Sequence, residues 1–206
     1  GLGADYITEV GQQRRFEPAQ GVSLELNTQT RINQRAVSDG VQGFELVSGE
    51  VEVQTARLPL AMQAGGGWLR ASQGRFNLRN TDRQVCVTCL DGAVEVDVEG
   101  RSLRLEPGQQ VTYDARQVGS VQSVDTAVVM NWRKQVLVFN GATLSQMIDE
   151  INRYRPGMLV LLNPSLGRRK VQARFSLAQL PGVAQLIRDA YGARCTELPG
   201  GVVLLS

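Results

Sequence analysis

The spacing of apolar residues changes at about position 135, and this change constrains the fold more than any other feature of the sequence. Before it, apolar residues recur at every second position in short runs, as half-buried strands require, and almost no helical period is present. From Leu144 to Tyr154 they recur three and four positions apart, as on one face of a helix. Thr143 and Gln146 form a capping-box pattern at its start, and Pro156-Gly157 ends it. The sequence therefore predicts a β-rich part followed by a part that contains helices.

Residues 5–114 are predicted to form short strands separated by turn residues at intervals of roughly ten. Within them, three segments share a turn that ends in glycine and a strand with apolar residues at alternate positions: SGEVEV at 48–53, DGAVEVDV at 91–98 and, more loosely, PGQQVTY at 107–113. Glycine adopts the positive φ of such turns without steric cost. Repeated units of this kind are typical of a sandwich, a barrel or a solenoid, and these three architectures remain open.

Several other features of the β-rich part predict structure and not a site. Gly65-Gly66-Gly67 is followed by no lysine and hydroxyl residue of a phosphate-binding loop, so the segment is predicted to be a flexible loop. Trp68, Phe76 and Trp132 do not have the spacing of a stacking platform and are predicted to pack in a core. A strand of less regular alternation is predicted from Thr30 to Val37.

Two strand–helix–strand units of similar length are predicted after residue 135. The first joins strands Val136–Phe139 and Met158–Leu162 through the helix described above. The second has a strand at Val171–Phe175, a helix within SLAQLPGVAQLIRDAY, and a hairpin of ARCTEL and GVVLL. Between residues 114 and 135, neither the alternate spacing of a strand nor the three-and-four spacing of a helix is clear. The sequence thus predicts an α+β protein with a β-rich domain at 1–114, a connector at 115–134 and a small α/β domain at 135–206.

Composition excludes several classes of function. The 206 residues carry a net charge of +2 and their basic residues are scattered, so no attraction to nucleic acid is expected. Histidine is absent, which removes Ser-His and Cys-His nucleophile pairs and imidazole metal ligands. Most of the acidic residues occupy turns or outward strand positions, where a solvated surface is expected. We therefore predict no catalytic residues, no metal site and no cofactor. In addition, no apolar run reaches the ~18 residues that span a bilayer.

The three cysteines do not form a recognisable metal or redox motif. Cys86 and Cys89 have CxxC spacing, but no second CxxC accompanies them and their surroundings predict a strand. Positions three apart on a strand are ~10 Å apart and face opposite sides, which is too far for a disulfide. One interpretation leaves all three unpaired, with Cys89 directed into the core; the other bonds Cys195 to Cys86 or Cys89.

The stretch NWRKQVLVFNGATLSQMIDEINRY resembles a signature of the FecR family, the membrane-spanning sigma regulators of bacterial iron-siderophore uptake. Three earlier stretches, YITEVGQQRR with GVSLELNTQT, FELVSGEVEVQTA and VTCLDGAVEV, resemble the opening and strands of the FecR domain. The segments EPAQG and QGRF depart from the family pattern at a turn and a strand edge. The two strand–helix–strand units resemble the short N-terminal domain of secretins and TonB-dependent receptors, the STN domain.

The resemblance implies a binding and signalling module and no enzyme. In a FecR-like regulator this chain is the periplasmic region of a single-pass inner-membrane protein, whose membrane helix and cytoplasmic part lie outside the sequence. The cytoplasmic part holds an extracytoplasmic-function sigma factor. The periplasmic region senses the N-terminal signalling domain of a TonB-dependent siderophore receptor, and binding leads to regulated cleavage by site proteases and release of the sigma factor. The implied process is control of iron uptake.

The predicted partner-binding residues lie in the α/β domain. Strands 158–162 and 202–205 lack the charges or proline that block a sheet edge, so either one is expected to accept an incoming strand or to pack against a partner. A short basic run beside the first strand is expected to steer an acidic partner. The residues are Met158, Val160, Leu162, Arg168, Arg169, Lys170, Val202, Val203 and Leu204.

Two other functions remain open from the sequence. One is a β-rich carbohydrate-active enzyme, which requires a cleft with two carboxylates at a suitable separation. The other is a structural subunit of a secretion channel, which the α/β domain alone fits.

Overall fold

A computed structural model describes residues 4–36 and 40–206 of the chain. Residues 1–3, with which the predicted β-rich domain begins, and Val37, with which a predicted strand ends, lie outside the described residues. The chain divides into two compact units, Gly1–Met130 and Asn131–Ser206, described separately below. The boundaries of the predicted connector at 115 and 134 stay a prediction.

The first unit is a 13-stranded sheet that curls around one core, followed by a short helix α1 (Thr126–Val129). The strands are β1 (Tyr6–Ile7), β2 (Arg14–Ala19), β3 (Val22–Leu26), β4 (Arg31–Arg35), β5 (Gln42–Thr55), β6 (Leu60–Ala64), β7 (Gly67–Ala71), β8 (Gly74–Thr81), β9 (Gln84–Gly92), β10 (Val94–Val98), β11 (Arg101–Leu105), β12 (Gln109–Tyr113) and β13 (Gln122–Ser123).

The long strand β5 divides the sheet into two halves that face each other across the core. The first half of β5 pairs with β4 and β6, and that side of the sheet continues through β7 and β10 to β11. The second half of β5 pairs with β3 and β8, and that side continues through β9 and β12 to β13. We call these the first and second layers. The hairpins β6–β7, β8–β9 and β10–β11 thus belong alternately to the first, second and first layers.

The three glycine-containing repeats mark three of the places where the chain passes between layers. Gly49 lies inside β5, where this strand leaves the first layer, and has φ +104°. Gly92 ends β9 just before β10, and Pro107-Gly108 connects β11 to β12. The prediction of glycine at positive φ is confirmed at Gly49, Gly92 and Gly108. The prediction of a turn at Ser48-Gly49 is wrong, because the strand continues through it with an irregularity in its pairing to β4.

The core of the first unit consists of alternate residues from both layers, and its largest fully buried side chains include Tyr113, Phe44 and Phe76. The Tyr113 hydroxyl donates a hydrogen bond to the Ala64 carbonyl at 2.7 Å, and burial raises the pKa of this phenol. Ala64 and Gly67 pair across a tight β6–β7 hairpin, so the predicted flexible glycine loop is wrong. Core packing is confirmed for Phe76, whereas Trp68 is half-buried on the outer surface of the first layer.

The cysteines follow the predicted strand geometry. Cys86 and Cys89 both lie on β9, and Cys89 is fully buried in the core, as predicted. Cys86 pairs with Thr112 of β12 and points away from that core, because Val85 and Val87 on either side point into it. All three thiols are free in this structure, including that of Cys195 in the second unit. Burial raises the pKa of both Cys86 and Cys89.

The second unit contains two small sheets and three helices around a core of its own. Its strands are β14 (Val136–Thr143), β15 (Met158–Leu161), β16 (Lys170–Ser176), β17 (Cys195–Leu198) and β18 (Val202–Leu205), and its helices are α2 (Leu144–Asn152), α3 (Pro164–Gly167) and α4 (Val183–Tyr191). Short 3-10 helices occupy Met130–Lys134, Leu177–Gly182 and Pro199–Gly201. β14 pairs with β16 in a two-stranded sheet, and β15, β18 and β17 form a three-stranded sheet in that order.

The helix that the sequence predicts most clearly is confirmed. The Thr143 side chain accepts a hydrogen bond from the Gln146 amide N–H at 3.1 Å, and the Gln146 side chain accepts one from the Thr143 N–H at 2.9 Å. These two bonds satisfy N–H groups that the first turn of α2 leaves unpaired. The strand predicted at Val136–Phe139 is longer than expected, because β14 continues through Asn140-Gly141 to Thr143 with a bulge between Asn140 and Ala142.

Candidate partner-binding face

The three-stranded sheet of the second unit contains both predicted docking strands. β18 lies at its centre, parallel to β15 on one side and antiparallel to β17 on the other. The backbone of Val202–Leu205 is therefore already paired along both sides, and the prediction that this strand is an accessible edge is wrong. β15, which carries Met158 and Val160, is an edge strand of the sheet.

The two surfaces of this sheet differ sharply in exposure. Leu159, Val203 and Leu205 point inward and are at most 5% exposed, so Val203 is a core residue and cannot contact a partner. The strand register shows which residues lie on the opposite surface. It aligns Met158 with Val202 and Leu198, and Val160 with Leu204. Met158, Leu162 and Leu198 are 53%, 54% and 43% exposed. Leu162 follows β15 and continues its alternation, because its N–H still donates to the Leu205 carbonyl at 2.8 Å. We call this surface the outer apolar face; its residues are Met158, Val160, Leu162, Leu198, Val202 and Leu204.

Leu198 is a member of this face that sequence reasoning missed. It ends β17 and is aligned with Val202 across the Pro199–Gly201 connection. The signal in the sequence is the predicted hairpin itself, since residues that flank a hairpin connection at equal distances share one side of the sheet.

The edge of β15 is partly closed by a side chain. The side-chain carbonyl of Asn152 accepts a hydrogen bond from the Leu159 N–H at 2.9 Å, and its amide donates one to the Leu159 carbonyl at 2.9 Å. Asn152 ends α2 and thus occupies the position that a neighbouring strand takes in a longer sheet. An incoming strand must displace this amide, so strand addition at Met158–Leu161 is disfavoured.

Replacing Asn152 by alanine is expected to remove this closure. The buried Leu159 loses partners for both its N–H and its carbonyl, which should lower the free energy of unfolding by about 1–3 kcal/mol. Urea denaturation followed by circular dichroism measures the change. Asn163→Ala is a matched control, because its side chain caps α3 through the Leu166 N–H and touches no sheet edge. Asn152→Ala should also increase aggregation when the protein is partly unfolded, because it leaves the edge of β15 open, whereas Asn163→Ala should not. Equal stability loss and equal aggregation in the two variants would contradict the proposed closure of this edge.

The predicted basic run does not belong to the outer apolar face. Arg168 and Arg169 follow α3, and Lys170 begins β16, where it pairs with Thr143 of the two-stranded sheet. The Arg169 guanidinium lies over the Tyr191 ring, 5.5 Å from its centroid. The run is exposed, but the structure places it on elements other than β15, β17 and β18.

A cleft of about 1120 Å³ lies on the first unit, over the outer surface of β7 and β10. It contains two carboxylates, Asp91 and Glu95, as the alternative of a carbohydrate-active enzyme requires. Both are exposed, and Glu95 forms an ion pair with Arg104 at 3.0 Å. A glycosidase acid is instead kept protonated by a desolvated pocket. The cleft therefore gives that alternative no support.

Neither a metal site nor a membrane span is found in the described ranges. Among residues 4–36 and 40–206, no group of three or more Cys, Asp and Glu side chains is placed to hold a metal ion. Within the same residues, no helix is long and apolar enough to cross a membrane.

Comparison with known proteins identifies the first unit. Residues 4–95 match the family model described as FecR protein. Residues 4–95 therefore belong to the FecR family. The resemblance stated from the sequence is confirmed over these residues, and it supports a role as a signalling regulator. No curated protein matches the chain.

Solved structures extend the likeness to nearly the whole chain. Two crystal structures, each of a candidate anti-sigma factor from Parabacteroides distasonis ATCC 8503, have TM-scores of 0.80 and 0.79 at 19% and 20% identity. They cover 98% and 97% of this chain, and the match spans 97% and 96% of theirs. At this identity the likeness shows the fold. The β-rich fold that the sequence predicts is therefore confirmed.

Proposed function

We propose that this chain is the periplasmic signalling region of an anti-sigma regulator. Its second unit acts as an STN-like domain and binds the N-terminal signalling domain of a TonB-dependent siderophore receptor. The observation that carries the proposal is the outer apolar face, where Met158, Leu162 and Leu198 are each about half exposed on one sheet surface. Contiguous exposed apolar surface on a soluble domain commonly marks a protein–protein contact.

The chemistry of this face defines the partner surface. Its six side chains are uncharged and apolar, and the sheet beneath them is held by the buried residues Leu159, Val203 and Leu205. A rigid apolar surface of this kind complements apolar side chains and disfavours an uncompensated charge. The receptor domain is therefore expected to present an apolar helix or strand, with polar groups only at the rim.

The FecR match and the likeness to anti-sigma factors support a regulator that holds a sigma factor, and the remaining steps are those that the FecR resemblance implies. A FecR-like regulator crosses the inner membrane once and holds an extracytoplasmic-function sigma factor through its cytoplasmic part. Receptor binding outside leads to cleavage by site proteases, release of the sigma factor and expression of iron-uptake genes. Physically, the receptor domain must bind the signalling state of the periplasmic region more tightly than the resting state, because a ligand shifts an equilibrium only by its differential affinity.

A channel-subunit function is less well supported than the regulator. A function as a secretion-channel subunit would explain the second unit, but it gives no role to residues 4–95, which match the FecR family. The regulator accounts for both units.

The test is titration of this chain with the isolated signalling domains of the TonB-dependent receptors encoded beside it. Leu162→Asp and Met158→Asp each place a carboxylate in the outer apolar face and should weaken binding about tenfold to thirtyfold. Val128→Asp is the matched control, because Val128 is similarly exposed, at 56%, but lies on α1 of the first unit. Circular dichroism confirms folding of each variant, and calorimetry measures affinity.

The outcomes separate the partner from the docking surface. Loss of affinity in the two face variants with no loss in Val128→Asp supports the proposal. Folded face variants that bind as tightly as the unchanged chain would move the contact away from this sheet. If no receptor domain binds the unchanged chain, the proposed partner class is wrong.

A further inference from the structure

The three-stranded sheet has a second edge, β17, whose backbone is open. Arg194 and Ser206 exchange two hydrogen bonds, from the Arg194 N–H to the Ser206 carbonyl at 2.8 Å and from the Ser206 N–H to the Arg194 carbonyl at 3.1 Å. Bonded and non-bonded pairs alternate along an antiparallel ladder. Thr196 and Leu198 therefore bond to β18, while Cys195 and Glu197 direct both N–H and C=O away from the sheet.

The two edges of the sheet differ in whether a side chain bonds their outward backbone groups. On β15, the outward groups of Leu159 are bonded by Asn152. On β17, no side chain among residues 4–36 and 40–206 bonds the outward backbone groups of Cys195 or Glu197. β17 also has no proline, and three of its four residues are exposed. Thus β17 has the backbone and the accessibility that strand addition requires.

We infer that the partner donates one extended strand to the edge of β17 and so continues the sheet. This inference rests on the proposed function and names how the partner is held. The added strand places side chains beside Leu198 and Thr196 on the outer surface, which extends the row of Met158, Val202 and Leu198. The residue paired with Glu197 faces an exposed carboxylate. The occupant is therefore a strand of the receptor's signalling domain with a basic residue between two apolar residues.

Proline substitution tests this inference directly. Glu197→Pro removes an N–H that points away from β18, and edge strands accept proline at such positions, so the fold should be retained. The same change removes one hydrogen-bond donor that the incoming strand needs and blocks its approach. Affinity for the receptor's isolated signalling domain should fall about tenfold or more. Glu197→Ala is the matched control, since it removes the carboxylate but keeps the N–H, and should bind only slightly less tightly.

Amide hydrogen exchange followed by NMR provides a readout that needs no variant. In the free chain the amides of Cys195 and Glu197 should exchange rapidly, while that of Leu159, bonded to Asn152, should already be protected. Addition of the receptor domain should slow exchange at Cys195 and Glu197 and leave Leu159 unchanged. Binding without such protection overturns strand addition and leaves the proposed function standing. Absence of binding overturns both. Protection that appears with chain concentration alone would show that a second copy is the occupant and would also overturn the inference.

Discussion

Gly49→Ala is expected to lower the free energy of unfolding by about 3–5 kcal/mol, because the change adds steric overlap to backbone strain. Gly49 has φ +104°, where side chains are strained. A Cβ at this position would lie 2.5 Å from the Thr30 Cα and 2.8 Å from the Gln29 carbonyl oxygen, and backbone atoms cannot rotate away. Chemical denaturation measures the loss.

A second glycine separates the two causes. Gly100 also has a positive φ, +69°, but a Cβ there meets nothing within 4 Å. Gly100→Ala should therefore cost only the strain of a left-handed residue, about 1–2 kcal/mol. If both variants lose the same stability, close packing at the layer crossing contributes nothing, and steric overlap is not what requires glycine at Gly49.

Glu50→Ala is expected to destabilise the first unit by about 3 kcal/mol. The Glu50 side chain accepts hydrogen bonds from the Asn27 and Asn77 side-chain amides, each at 2.9 Å, and the residue is 5% exposed. It thereby joins the end of β3 to β8 across β5. Removal of the carboxylate takes an acceptor from two buried amides, and a buried donor that loses its partner costs about 1–3 kcal/mol.

Two further variants define what the carboxylate contributes. Glu50→Gln keeps one acceptor oxygen but presents an NH₂ group to the other amide, so its loss of stability should be intermediate. Glu95→Ala removes an exposed carboxylate that is paired with Arg104 at 3.0 Å, and should change stability by about 1 kcal/mol or less. An equal loss for Glu50→Ala and Glu95→Ala would show that the buried bridge adds no stability.

Local features of the fold were predictable because their physical causes are local. The apolar period of α2 and its Thr143–Gln146 capping box lie within a few residues of each other. Positive φ at Gly49, Gly92 and Gly108 and the burial of Cys89 likewise follow from short patterns. In each case neighbouring residues are sufficient to determine the conformation.

Features that depend on distant pairing were not predictable from local patterns. Val202–Leu205 has the composition of either an edge or a central strand, and only its pairing with both β15 and β17 makes it central. Glu50 and Glu52 occupy outward strand positions that predict a solvated surface, yet both are buried. The outer apolar face combines residues from three strands, so no single stretch of sequence reveals it.

The alternation of hairpins between the two layers also determines how a fold of this kind can change in size. At Gly92 and at Pro107-Gly108 the chain passes to the other layer and begins a new pair of strands, β10–β11 and β12–β13. Each new pair packs on the pair before it and leaves the earlier strand pairings intact. No strand closes the sheet into a ring among the described residues, since its path ends at β11 on one side and β13 on the other. The first unit is therefore open-ended, and insertion or loss of a hairpin pair next to these terminal strands changes its length by one step, as in a repeat protein.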